Sequence, residues 1–144
     1  MLTITVQSFT YEGELPALNQ ILDAKRRVSR HSHWNRYNEW KKEETAKILH
    51  ELQIQRIRAV ERYPVRLSYV IYVPNRRKDP DNVAAGAMKF MQDALKLGSI
   101  IKNDGWAQLV GPDGTTGDAP ILRVDPKRPR VVVLIEERVD AGAS

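Results

Sequence analysis

Asp79, Asp81, Asp93 and Asp104 are the only acids between Glu61 and Asp113, and Lys89 sits among them. Clustered carboxylates offer hard oxygen donors to a divalent cation, and a lysine beside them offers an ammonium to a phosphate oxygen. Two or three such acids meeting at a strand end suit Mg²⁺, which takes oxygen ligands and keeps several waters. The same residues have an ordinary reading. Asp79-Pro80-Asp81 is what a helix start prefers: an N-cap acid, proline in the first turn, and negative charge near the positive end of the dipole. On RRKDPDN, residues 76–82, the helix start is the better account. Asp104 before Gly105 is equally a turn residue, and Lys89 with Asp93 is an i,i+4 ion pair.

These residues must be positioned by the elements around them. Alternation over residues 2–10 predicts a half-buried strand. A break at Gly13–Pro16 and a short helical turn near Leu15–Ile21 follow. A helical pattern runs from Trp34 to Glu61, uninterrupted by proline until Pro64. Val65, Leu67, Tyr69, Ile71 and Val73 alternate, and Val70 and Tyr72 make the other face apolar too, which predicts a central strand buried on both faces. A helix is expected from Pro80 to Leu97, with Gly98 at C′. Asn82, Gly86, Lys89, Asp93 and Lys96 form its polar band, and Asp81 and Gln92 lie at the margin. Val83, Ala84, Ala87, Met88, Met91, Ala94 and Leu95 cover the opposite side. Gly86 costs about 1 kcal/mol relative to alanine, and either a close approach or no functional reason explains it. Asn103-Asp104-Gly105 is a turn and residues 111–120, GPDGTTGDAP, a mobile loop. Strands follow at 121–124 and 130–139, and residues 139–144 are expected to fray. The sum is an α/β class protein: one domain over residues 1–144, a mixed β-sheet packed by two main helices.

Composition narrows the function classes. The chain has no cysteine, so disulfides and thiolate metal sites are excluded. No apolar run approaches a membrane span and no secretory pattern opens the sequence, so the expectation is a cytoplasmic protein with no membrane partner. The net charge is +5, unevenly placed. Residues 24–66 hold twelve Lys or Arg against five Glu, a net of +7, which leaves −2 for the rest. Basic charge gathered in one region is the electrostatic footprint of a polyanion ligand. A solvated helix face explains part of it, since Glu39, Glu43, Glu44 and Glu51 allow i,i+4 pairs. His31 and His33 have no third ligand nearby and are read as facing solvent or phosphate. DPDN lacks the further acid and central glycine of a calcium loop, and no phosphate-binding P-loop or Gly-x-Ser-x-Gly element is present.

The segments DPDNVAAGAMKFMQDAL, residues 79–95, and GSIIKNDGW, residues 98–106, resemble the RusA-type Holliday junction resolvases, in particular the phage and prophage branch. LPALNQILDAKRR, residues 15–27, is a weaker echo of that branch's entry segment. The resemblance implies a RusA-like fold and a homodimeric, Mg²⁺-dependent endodeoxyribonuclease, with Mn²⁺ as a substitute, that resolves four-way DNA junctions by paired symmetric nicks in recombination and repair. It implies that Asp79, Asp81 and Asp104 hold the metal and that Lys89 is essential, with Asp93, Asn82 and Asn103 in support. The expected setting is the nucleoid of a bacterium or a phage-infected cell. Two features depart from the pattern. Asp81 and Lys89 are about one helical turn further apart than in the shortest members, and Asn103 stands where some members have a second Asp. Arg26, Arg27, Arg30, Lys41, Lys42, Arg76, Arg77 and Lys78, with Arg56 and Arg58, are the expected contacts to the DNA backbone. The N-terminal strand is a plausible edge for pairing two copies. Two other functions fit the same residues: a Mg²⁺-dependent nuclease for flaps or forks, and a DNA-binding module without catalysis. Loss of Asp81 would abolish cutting in the nuclease readings and leave the module unchanged.

Overall fold

A computed structural model of the chain describes residues 2–23, 34–105, 108–109 and 119–140. Four strands form one mixed sheet: β1 (Leu2–Glu12), β2 (Val65–Val73), β3 (Ile121–Val124) and β4 (Arg130–Asp140), in the order β1-β4-β2-β3. β4 runs antiparallel to both β1 and β2, and β3 is parallel to β2. Three helices accompany it: α1, helical over residues 18–23, α2 (Trp34–Ile54) and α3 (Pro80–Leu97). Among the described residues no helix is long and apolar enough to cross a membrane.

Alternation sets which sheet face is covered. Val65, Leu67, Tyr69 and Ile71 of β2, Val131, Val133 and Ile135 of β4, and Phe9 and Tyr11 of β1 all enter one core. Ile48 and Leu52 of α2 and Val83, Ala87, Met91, Ala94 and Leu95 of α3 pack into that same core. Helices α2 and α3 therefore share a face of the sheet. The alternate residues of β2, Arg66, Ser68, Val70 and Tyr72, are only half-buried. β2 is central as its sequence predicts, but it is not buried on both faces. β4 also runs further than expected, since Val139 and Asp140 still pair with Thr3 and Leu2. Residues 141–144 and most of the 111–120 loop lie outside the described residues.

Two helix ends differ from expectation, and both have a local cause. α2 stops at Ile54 rather than near Glu61. Arg56 takes a left-handed conformation with φ 56°, and the Ile57 N–H donates to the Leu52 carbonyl at 3.0 Å. This closes the helix in the manner usual for a glycine. Val60 is buried, but from the following segment, which donates to Ile100 O at 2.8 Å. At the end of α3 the left-handed residue is Ser99, φ 60°, and not Gly98, φ −79°. A Cβ at Gly98 would meet Leu49 Cδ2 of α2 at 2.9 Å, the movable end of a side chain, so neither a left-handed backbone nor a fixed obstacle demands glycine here.

β1 is an outer strand, as a pairing edge would need, but part of its edge is taken. The Gln55 carboxamide donates to Thr10 O at 2.6 Å and accepts from Thr10 N–H at 3.0 Å, in place of a neighbouring strand. From β1 itself, the Gln7 carboxamide donates to Arg58 O at 2.9 Å and accepts the Arg58 N–H at 2.7 Å, which ties the segment after α2 to this strand.

Candidate functional site

α3 carries most of the candidate residues, and its burial shows which arc they occupy. Val83, Ala84, Gly86, Ala87, Phe90, Met91, Ala94 and Leu95 are buried. Gly86 therefore leaves the polar band and joins the packed arc. A Cβ there would stand 2.1 Å from Pro16 O and 2.7 Å from Ala17 Cα. The close approach is to the chain's own backbone, just before α1. With Gly86 removed, the unburied arc runs from Met88 to Asp93 and takes in Asp81 and Gln92, which the sequence places at the margin of the polar band.

That arc lines a concavity of about 540 Å³, bounded by Asp81, Ala85, Met88, Lys89, Gln92, Asp93 and, from beyond the helix, Asp104. The chain returns there by a defined route. Ile100 and Ile101 plug into the core after the Ser99 turn. The Lys102 N–H donates to the Tyr63 hydroxyl at 2.9 Å, while its ammonium lies 4.8 Å from the Tyr63 ring centre. Asp104 then pairs with Lys96 at 3.6 Å. Asn103 Oδ1 accepts the Asp104 N–H at 2.9 Å, so this amide shapes the turn.

Asp93 joins two lysines. Its Oδ2 lies 3.9 Å from Lys89 Nζ and 3.9 Å from Lys41 Nζ. Lys41 comes from α2, which the edge-to-face contact of Trp40 with Phe90, 5.7 Å between centres, holds against α3. α2 thus delivers a cation, Lys41, to the acidic concavity, a link that sequence spacing alone does not give. Beneath the concavity, Tyr69 of β2 turns its hydroxyl toward Gln92 without closing a good hydrogen bond. Burial pushes that phenol far above its ordinary value, and the Gln92 side chain opposes this weakly.

The other predicted residues fall elsewhere. Asp79 occupies the N-cap of α3, exposed, with no side-chain cap bond; its carbonyl accepts the Val83 N–H at 3.1 Å. It is not part of the concavity lining, and neither is Asn82. Among the described residues no three acidic or histidine side chains are grouped to hold a metal together. Asp81 and Asp104 do share the concavity, and two carboxylates with waters or phosphate oxygens are a sufficient donor set for Mg²⁺. In donor chemistry the concavity therefore suits that ion, with Asp81 and Asp104 as the two carboxylates that line it and Asp79 outside it. Lys42 is exposed on α2, and Arg56 and Arg58 are exposed after it. Arg26, Arg27 and Arg30, like His31 and His33, lie outside the described residues.

Arg76, Arg77 and Lys78 do not face the concavity. They line a separate cleft of about 840 Å³ with Tyr72, Val73, Leu122, Arg123 and Val124. The seven residues 76–82 therefore split between two depressions, cations in one and Asp81 in the other. Arg123 of β3 was not among the expected contacts, because nothing in its local sequence links it to residues 76–78; the parallel pairing of β3 with β2 does so. Comparison of the chain with protein-family models and with curated proteins finds no match in either.

Proposed function

We propose that this protein is a Mg²⁺-dependent endonuclease of RusA type that cuts branched DNA, with the four-way junction as substrate and a homodimer as the working form. The observation that carries the reading is the meeting of Asp81, Lys89, Asp93 and Asp104 in one concavity to which α2 brings Lys41. Asp81 and Asp104 would hold the metal, and Asp79 is the further acid in reach by sequence. When bound, the ion supplies Lewis-acid activation of the phosphate and of a water. Lys89 offsets charge that grows on the phosphate as it is attacked. Asp93 orients Lys89 and Lys41 and keeps their ammonium groups at the rim. Lys41, Lys42 and the cations at 76–78 would grip the backbone, giving affinity and salt dependence with little sequence information. Two such sites in a dimer would nick opposing strands. Half-buried Val70, Val132 and Leu134 and exposed Val6, on the sheet face away from the helices, offer apolar surface for that pairing.

A second reading, a DNA-binding module without catalysis, is favoured by one observation. Asp104 and Asp93 each have lysine partners, as in ordinary surface ion pairs. A single experiment separates the two. A labelled four-way junction, a linear duplex and a flap are each incubated with Mg²⁺ and with EDTA, using wild-type protein and Asp81→Asn. Paired nicks on the junction that require Mg²⁺ and vanish in Asp81→Asn, with junction binding retained, are expected. Cutting at the wild-type rate by Asp81→Asn would remove the metal assignment. Tight binding without cutting in Mg²⁺ or Mn²⁺ would establish the module.

A further inference from the structure

The geometry points to the cleft between the β2–α3 connection and β3 as a site for one unpaired nucleotide of a DNA strand, with its phosphate on the guanidinium groups and its base on the apolar wall. This rests on the DNA reading above and adds a substrate feature to it.

Charge gives the first part. The cleft carries Arg76, Arg77, Lys78 and Arg123 against two acids, Glu14 and Asp125. Both acids are engaged: Glu14 lies 3.9 Å from Lys78, and Asp125 bonds Arg130 at 2.8 Å. Arg130 in turn stacks over the Tyr72 ring at 3.6 Å. The guanidinium groups of Arg76, Arg77 and Arg123 have no carboxylate partner among the described residues. Three guanidiniums around a concave space, without a carboxylate partner among the described residues, favour a phosphate, which they can bind in bidentate fashion.

Shape and wall chemistry give the second part. At about 840 Å³ the cleft is in the ~300–1,000 Å³ range of sites that enclose a small organic group. Val73, Leu122 and Val124 form an apolar wall. Val124 is 44% exposed, so this surface lies open to solvent when the cleft is empty. A duplex presents sugars and phosphates to such a cleft and gives the wall nothing to cover it. An unpaired nucleotide presents a base face as well, and covering the aliphatic wall with it removes apolar surface from water whatever the base. Strands near a branch point are where such nucleotides occur.

The test is anisotropy of a labelled short oligothymidylate and of a blunt duplex of equal length. Both are measured in EDTA with Asp81→Asn protein, so that cutting plays no part. Expected are tighter binding of the single strand, a loss of about tenfold in Arg123→Ala with a salt slope smaller by about one, and recovery of the slope in Arg123→Lys. Val124→Glu, at an exposed position, should abolish the preference for single strand. Thymidine monophosphate should compete far below the concentration at which inorganic phosphate does. Equal affinity for the two DNAs, or wild-type binding by both Arg123→Ala and Val124→Glu, would overturn the site. Equal competition by phosphate and nucleotide would overturn the base-binding half. If junction cutting fails while single-strand binding behaves as stated, the nuclease reading falls and the cleft stands.

Discussion

Replacing Gly86 by alanine sets two effects of opposite sign against each other. Helix propensity favours alanine by about 1 kcal/mol at an interior position. Packing opposes it. The new Cβ would stand 2.1 Å from Pro16 O and 2.7 Å from both Ala17 C and Ala17 Cα. Carbon contacts are comfortable near ~3.5–4.0 Å, so the helix and the segment before α1 must separate by about 1 Å or more. All three atoms are backbone, so no rotamer change relieves the clash. Overpacking costs about 1–3 kcal/mol, and a backbone clash belongs at the upper end. The net is destabilisation by about 2 kcal/mol. With an unfolding entropy of ~2.1 cal/mol/K per residue over the 144 residues, that lowers Tm by roughly 7 °C. Urea denaturation and thermal melts followed by circular dichroism measure it. Gly98→Ala is the control, since its nearest obstacle is the end of the Leu49 side chain, which can move. A higher Tm for Gly86→Ala than for wild type would show that propensity decides, and would refute the close approach of α3 to residues 16–17.

Other consequences follow from the same geometry. Arg56→Gly relieves a left-handed residue that closes α2, and should raise stability by about 0.5–1 kcal/mol, read as a higher urea midpoint at constant m-value. Asp93→Asn removes partly exposed ion pairs, so stability should fall by no more than about 1 kcal/mol. On the proposed function, junction cutting should fall between ~10- and ~100-fold in the same variant, because Lys89 is no longer held, while junction affinity does not drop. For Tyr69, burial raises the folded pKa above the unfolded value near 10. Its contribution is therefore fully present below about pH 10 and is lost as pH rises beyond that. Stability measured against pH should decline above pH 10 in wild type, and with a shallower slope in Tyr69→Phe.

The sequence signals that proved legible were those with a steric or periodic cause. Pro80 and Gly98 bracket α3 at the expected places, and the period-two pattern places β2 from Val65 to Val73. The end of α2 was not legible, because arginine carries no stop signal and Val60 continues the apolar series from an extended segment. The facing of α3 departs from the sequence pattern at two residues: Met88, placed on the packed side, lines the concavity, and Gly86 is packed. Glycine has no hydropathy to show whether it is packed or exposed, and Gly86 turns out to be packed. Asn103-Asp104-Gly105 marks a turn in the sequence, but the return of Asp104 to the α3 concavity, its partner Lys96 and the junction of Lys41 with Asp93 depend on packing.

Adjacency in sequence also hid a division of labour. Arg76, Arg77 and Lys78 precede Asp81 closely, and read linearly they form one clamp against one metal site. The connection from β2 to α3 changes direction there. Its cations line the cleft shared with β3, whereas Asp81 faces the concavity shared with the Asp104 loop. Affinity and chemistry should then separate by mutation within a single heptapeptide. On the proposed function, neutralising Arg76 or Arg77 lowers the salt slope of DNA binding and leaves the metal requirement of cutting unchanged, and neutralising Asp81 does the reverse. A single clamp would couple the two effects, because moving the phosphate would also move it relative to the metal. The independence of these two slopes is therefore the property that distinguishes the folded arrangement from the linear one.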